Sequence, residues 1–301
     1  MHPINHLMMF MIRLLPEGLV KPVAMRYIAG ERFDDAIRVL GDLHSKKMMA
    51  TVDVLGENVS TKEESLQAMK ACEAVLEAIA ENHLQSSLSI KLTQLGLKLD
   101  PEFCYENVKS LLTIARSHAT FVRIDMEDSS TTTATLNLYE KLRSEGFENV
   151  GVVIQACLRR SEEDFQRLIR LRANVRLVKG IYLEPEAMAF KDKEEIRRNY
   201  LKLLRLILEA TCYVGIATHD DFLIGNAYQY IQEMKIPKDD YEFQMLYGVR
   251  VRLRDQIVAD GHRMRIYVPF GMQWYSYSMR RFQENPQIAR YVLQAILFRN
   301  S

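Results

Sequence analysis

The sequence predicts an α/β fold: one closed barrel of eight parallel strands alternating with helices, a (βα)8 barrel of the TIM type, behind an N-terminal helical extension. Three observations predict it. From residue 48 onward, short β-branched runs alternate with charged segments of helical period. The runs number eight. The stretch they occupy matches the roughly 250 residues typical of such a barrel. In this reading residues 48–301 are the catalytic barrel and residues 1–47 the extension.

In chain order the strand candidates are Met48–Leu55, Ser87–Leu92, Phe121–Met126, Gly151–Ala156, Val175–Val178, Tyr213–Thr218, Tyr241–Tyr247 and Met264–Val268. Most are near-continuous apolar stretches, which suits strands buried on both faces of a parallel sheet. Parallel neighbours need crossovers of a dozen or more residues. The amphipathic segments Thr61–Asn82, Asp100–His118, Thr133–Gly146 and Lys191–Ala210 supply them. An open doubly wound sheet is the rival, but it would carry G-x-G-x-x-G after its first strand, and no such string occurs. No Pro/Gly/Ser-rich linker divides the chain, so one domain is expected.

Composition narrows the function. Of 301 residues 48% are hydrophobic and 26% charged, ordinary values that exclude disordered and low-complexity classes. A net charge of +1 leaves no field to attract a polyanion, so nucleic acid is not an expected partner. The four cysteines, Cys72, Cys104, Cys157 and Cys212, have neither metal spacing nor the density of a disulfide framework, which fits a reducing cytoplasm. No metal site is expected, and no H-E-x-x-H, G-x-S-x-G or P-loop string occurs. Leu7–Leu15 is strongly apolar but nine residues long, against the ~20 that span a bilayer. It reads as a helix packed on the domain, with burial at a membrane surface as the alternative.

Active sites of such barrels sit at the C-terminal ends of the strands. Those ends carry Asp53, Lys91, Asp125 with Glu127, Gln155, Arg176 with Lys179, His219, Gln244 and Tyr267. Lys91 and Asp125 close consecutive strands and are expected within ion-pair reach. Such a lysine is a Schiff-base former, an anion clamp or a structural partner, and sequence alone does not choose. Arg176 and Lys179, followed by Gly180, suit a phosphate-bearing cofactor. After the last strand, Tyr277, Arg280, Arg281 and Glu284 have spacings i, i+3, i+4 and i+7, which place them on one helix face. Two adjacent arginines beside an aromatic hydroxyl make a carboxylate receptor; a solvated face with an Arg280–Glu284 pair is the alternative. From Gly248 to the end the chain holds nine arginines, no lysine and three acids. That bias suits recognition of anionic groups or an anionic membrane surface.

These residues resemble the proline dehydrogenase family, the flavoenzymes that begin proline catabolism. The resemblance runs through VDVLGENV (52–59), SIKL (89–92), RIDME (123–127), VVIQA (152–156), VRLVKGIY (175–182), IATHDD (216–221), YEFQMLYG (241–248), RIYVPFG (265–271) and YSMRRFQEN (277–285). The size resembles the monofunctional bacterial members. The resemblance implies a distorted (βα)8 barrel with FAD at its C-terminal mouth. It implies oxidation of L-proline to Δ1-pyrroline-5-carboxylate, with electrons passing to a membrane quinone. A downstream pyrroline-5-carboxylate dehydrogenase is then a metabolic partner. Lys91, Arg280 and Arg281 match the family's substrate-carboxylate clamp, and Tyr267 and Tyr277 its aromatic walls. Asp125 and Glu284 match acids that hold basic groups in place, Asp125 on the substrate side and Glu284 on the cofactor side. Gln155, Arg176, Val178, Lys179, Gly180, Thr218 and His219 fall on flavin-contacting positions. Cys157 and Leu183 depart from the larger aromatics of many members. The implied location is the cytoplasm, with peripheral contact at the inner face of the cell membrane. A Schiff-base lyase or aldolase built on Lys91 or Lys179 is the alternative function.

Overall fold

The computed structural model describes residues 17–284, with side chains to Met279, Leu19 excepted. The apolar run Leu7–Leu15 and the side chains of Arg280, Arg281 and Glu284 lie outside the described residues. Two helices come first, α1 (Glu17–Ala24) and α2 (Phe33–Ser45). Then strands and helices alternate: β1 (Met49–Val54), α3 (Lys62–Glu81), β2 (Ser86–Ile90), α4 (Pro101–Ser117), β3 (Val122–Ile124), α5 (Ser129–Ser144), β4 (Val150–Gln155) and α6 (Ser161–Arg170). The second half continues with β5 (Val175–Val178), α7 (Lys193–Glu209), β6 (Val214–Ala217), α8 (Asp221–Glu233), β7 (Tyr241–Leu246), α9 (Val251–Ala259), β8 (Met264–Phe270) and α10 (Trp274–Glu284).

All eight strands pair in parallel with their sequence neighbours, and β8 closes on β1 from Met49 beside Arg265 to Val54 beside Phe270. The expected barrel is therefore present, its strands within a few residues of their predicted limits. β3 is shorter than expected because the chain leaves the sheet at Asp125, whose N–H still reaches Ile90 O at 2.8 Å. β8 is longer than expected and continues through Pro269, whose carbonyl accepts from Ala29 N–H at 2.9 Å. Gly271 N–H likewise donates to Gly30 O, so the segment between α1 and α2 is tied to the end of the last strand.

Helix starts follow side-chain capping. Thr61, Asp100, Asp128, Asp192 and Asp220 each accept from backbone N–H groups of the first turn, satisfying donors the helix itself cannot. Pro101 adds a pre-set φ at the first turn of α4. The outward faces of the strands bury Tyr139, Tyr200, Tyr241, Phe165 and Phe243 among leucines and valines of the helix ring.

The inward faces differ from what near-continuous apolar runs suggest. Inside the barrel stand Arg123, Arg176, Glu242, Gln244 and Arg265: Gln244 bonds Glu242 within β7, Arg265 bonds Glu242 on the neighbouring strand, and Arg176 reaches Gln244 and Asp125 across non-adjacent ones. Small residues make room for them. A Cβ at Gly151 would lie 2.3 Å from Arg123 Nη1, so only glycine leaves that guanidinium its place.

Candidate active site

The C-terminal strand ends form one mouth, and its polar side chains fall into two contiguous arcs. Asp53 on β1, Lys91 after β2, Asp125 after β3 and Tyr267 on β8 make the first, with α10 following β8. Gln155 on β4, Arg176, Val178, Lys179 and Gly180 on and after β5, and Thr218 and His219 after β6 make the second.

Asp125 joins the arcs. Its carboxylate accepts from Ser89 Oγ at 2.7 Å, Tyr267 OH at 2.7 Å and Arg176 Nη1 at 2.6 Å. Burial works to raise its pKa, but Arg176, Lys91 and the two hydroxyl donors outweigh burial and hold it below the usual carboxylate range. Lys91 Nζ lies 3.9 Å from Asp125, as adjacent strands imply, yet its closer partner is Asp53 at 2.5 Å. The long lysine stem reaches from β2 back to β1, where Asp53 is 1% exposed. Burial favours the neutral amine, but Asp53 and Asp125 prevail and raise the Lys91 pKa. Tyr267 is driven well above the usual phenol range by burial, then by Asp125 and Asp53, so it stands as a neutral donor.

Arg176 spans both arcs. Its Nε donates to Gln244 Oε1 at 2.7 Å, and its guanidinium lies 5.2 Å from the Tyr267 ring centroid. In the second arc Gln155 Nε2 donates to Glu127 O at 2.8 Å, and Thr218 Oγ1 accepts from Asp220 N–H at 3.2 Å. Lys179 pairs with Asp220 at 3.2 Å, and Asp220 is also held by Arg197 at 2.8 Å. His219 Nε2 accepts from Leu246 N–H at 2.9 Å, which leaves the proton of the neutral ring on Nδ1. Gly180 has φ +99°, and a Cβ there would fall 2.2 Å from Cys157 Sγ; the backbone passes too close for a side chain.

At the mouth Lys91 and Arg176 face Asp53 and Asp125, two buried cations against two carboxylates, while Arg123 and Arg265 lie deeper in the barrel with Glu242. Burial shifts Glu127, a further buried acid of this region, toward its neutral form.

Tyr277 is buried and, with Leu55, Gly56, Glu57, Asn58, Gln273 and Ser276, lines a cavity of about 240 Å³ between the β1 end and α10. Arg280, Arg281 and Glu284 lie on the same helix, with side chains outside the described residues. Sequence reasoning passed over Glu242 and Arg265, which sat inside apolar runs. The signal was present: Glu242 with Gln244, and Arg265 with Tyr267, alternate at period 2, so each pair points to one face.

A closed (βα)8 barrel whose strand ends converge on a buried, charged mouth defines an enzyme of the barrel class. The pattern of the proline dehydrogenase family matches residues 36–294, and the chain belongs to that family of oxidoreductases. It is 40% identical over 274 residues to proline dehydrogenase 1 of Bacillus subtilis (strain 168), covering 91% of this chain and 90% of that one. It is 35% identical over 279 residues to the proline dehydrogenase of Deinococcus radiodurans, again covering 91% and 90%. That two-way coverage fits the monofunctional type. Among solved structures, proline utilization A of Bdellovibrio bacteriovorus, inactivated by N-propargylglycine, superposes with a TM-score of 0.81 at 26% identity. That match covers 88% of this chain and 33% of the longer protein.

Proposed function

We propose that this enzyme oxidises L-proline to Δ1-pyrroline-5-carboxylate with bound FAD and delivers the electrons to a membrane quinone. The observation that carries the reading is the two-arc mouth, in which the buried cations Lys91 and Arg176 meet at Asp125. The second arc fits a flavin nucleotide: Arg176 and Lys179 offer cations, Gln155, Thr218 and His219 offer polar contacts, and Gly180 allows close backbone approach. When bound, FAD supplies the sink for a hydride leaving the ring carbon beside the substrate nitrogen.

The chain supplies orientation and electrostatics. Lys91, Arg280 and Arg281 clamp the proline carboxylate, and Tyr267 and Tyr277 wall the pocket. Clamping one end of a small ring fixes its reacting carbon and turns binding energy into alignment. Asp125 fixes Ser89, Tyr267 and Arg176 by the three hydrogen bonds described above. Glu284 steadies the cofactor side from α10. The product is the substrate of a pyrroline-5-carboxylate dehydrogenase.

A Schiff-base lyase is disfavoured by the lysines. Lys91 is held protonated between two carboxylates, which removes its nucleophilic lone pair, and Lys179 is committed to Asp220. Among the described residues no helix is long and apolar enough to cross a membrane. In this reading the quinone is reached by peripheral contact, for which Leu7–Leu15 and the arginine-rich terminal third are the candidates. An absorption spectrum of the purified protein tests the reading. Oxidised-flavin bands bleached anaerobically by L-proline support it, and a colourless protein inert to proline overturns it.

A further inference from the structure

The barrel interior below the mouth contains a polar chain that the reaction does not itself use. Arg265 Nε donates to Glu242 Oε1 at 2.6 Å, and its Nη2 to Glu242 Oε2 at 3.0 Å. Gln244 Nε2 donates to the same Glu242 Oε1 at 2.6 Å. The other end of that amide, Oε1, accepts from Arg176 Nε at 2.7 Å, and Arg176 Nη1 reaches Asp125. Three strands thus line up one relay, β8 and β7 to β5, ending at the cation that bridges both arcs.

The chemistry of the groups fixes the polarity of the relay. Glu242 is 1% exposed; burial alone would raise its pKa, but Arg265 more than compensates and holds it ionised. A carboxylate only accepts and a guanidinium only donates. The Gln244 amide between them therefore has one satisfied orientation, with nitrogen toward Glu242 and oxygen toward Arg176. A flipped amide would set two acceptors together at one end and two donors at the other. The amide also needs space. Gly215 on β6 pairs with Arg176 on one side and Glu242 on the other, and a Cβ there would lie 2.3 Å from Gln244 Nε2. The side chain of Gln244 crosses β6 through the room that Gly215 leaves.

We infer that Glu242, acting through the Gln244 amide laid over Gly215, is a positioning residue that aims the Arg176 guanidinium at the mouth. Arg265 keeps Glu242 charged and in place. The inference rests on the proposed flavin reading and adds to it that a cation such as Arg176 beside the flavin would accommodate charge on the reduced cofactor. It extends the working site from the mouth into the middle of the barrel. Glu242 and Gln244 act on the mouth through Arg176, so their loss should fall on electron transfer more than on proline capture.

Two variants disturb the relay without altering a charge. Gly215→Ala displaces the far end of a flexible side chain, which the fold accommodates, and Gln244→Met removes the amide. Each is expected to shift the oxidised-to-reduced flavin equilibrium about tenfold toward oxidised, some 30 mV for a two-electron couple. Each should lower kcat for proline about tenfold with KM changed less than twofold. Glu242→Gln should do the same and also lose thermal stability, because it strands Arg265. Native potential and kcat in Gly215→Ala and Gln244→Met, with or without a change in melting temperature, would reduce the relay to packing and overturn the inference. If the native protein lacks flavin and is inert to proline, the functional reading itself fails. The two failures are separable.

Discussion

Replacing Asp125 by Asn removes one negative charge from the centre of the mouth while keeping the side-chain shape. The native carboxylate holds Ser89, Arg176 and Tyr267 by hydrogen bonds and lies 3.9 Å from Lys91. Removing one partner of a buried ion pair costs about 3–5 kcal/mol, because the other charge is left uncompensated. Here Arg176 keeps Gln244 and Lys91 keeps Asp53, so the lower end applies, about 3 kcal/mol. For a chain of this length that is roughly 6 °C in melting temperature, at about 2 °C per kcal/mol. The sign with pH follows from the depressed pKa of Asp125. A carboxyl with a lowered folded pKa stabilises above its unfolded value of about 3.9, and that stability is lost as pH falls through the folded value. Urea unfolding of the native chain and Asp125→Asn at pH 7, 5 and 4 measures the gap. It should be full at pH 7 and 5 and begin to close toward pH 4 and below. Equal stabilities at pH 7, or a gap that widens on acidification, would refute the assignment of Asp125 as the ionised hub.

Arg280→Met and Arg281→Met should each raise the KM for proline about ten- to a hundred-fold while flavin stays bound, since a charge-assisted contact contributes about 1.5–3 kcal/mol; unchanged KM values would return that helix face to solvent. Asp192→Ala should cost about 1 kcal/mol by removing the cap that accepts from Glu194 and Glu195 N–H, with proline kinetics untouched; unfolding that matches the native curve would contradict it. Deleting residues 1–15 should abolish salt-sensitive sedimentation with anionic liposomes; equal recovery in the supernatant for both chains, with and without lipid, would assign Leu7–Leu15 to core packing.

The barrel was legible because strands buried on both faces leave apolar runs, and their spacing survives any uncertainty about their ends. β3 and β8 were misjudged in length for local reasons: the chain turns off the sheet at Asp125, and β8 runs on through Pro269, whose carbonyl accepts from Ala29 N–H. The mouth was legible at Lys91, Asp125, Arg176 and Tyr267 because polar residues at strand ends carry a positional meaning. What escaped was the pairing. Adjacency in sequence order suggested Asp125 as the partner of Lys91, whereas the lysine stem turns to Asp53 on its other neighbouring strand, β1. Glu242 and Arg265 escaped for a different reason. Their hydrophobic neighbours face the helix ring, so an averaged reading of each run hid the charged inner face.

The closing seam between β1 and β8 joins Met49 to Arg265 and Val54 to Phe270. More than two hundred residues of chain must be made before β1 meets its second neighbour. Until then β1 is an open edge, and α1 and α2 lack the strand end and helix they dock on. Loop closure over such a span is slow, and unpaired apolar edges invite pairing with other chains. The first strand to leave the ribosome is thus among the last to be completed, and the aggregation hazard of this enzyme is concentrated in the interval between.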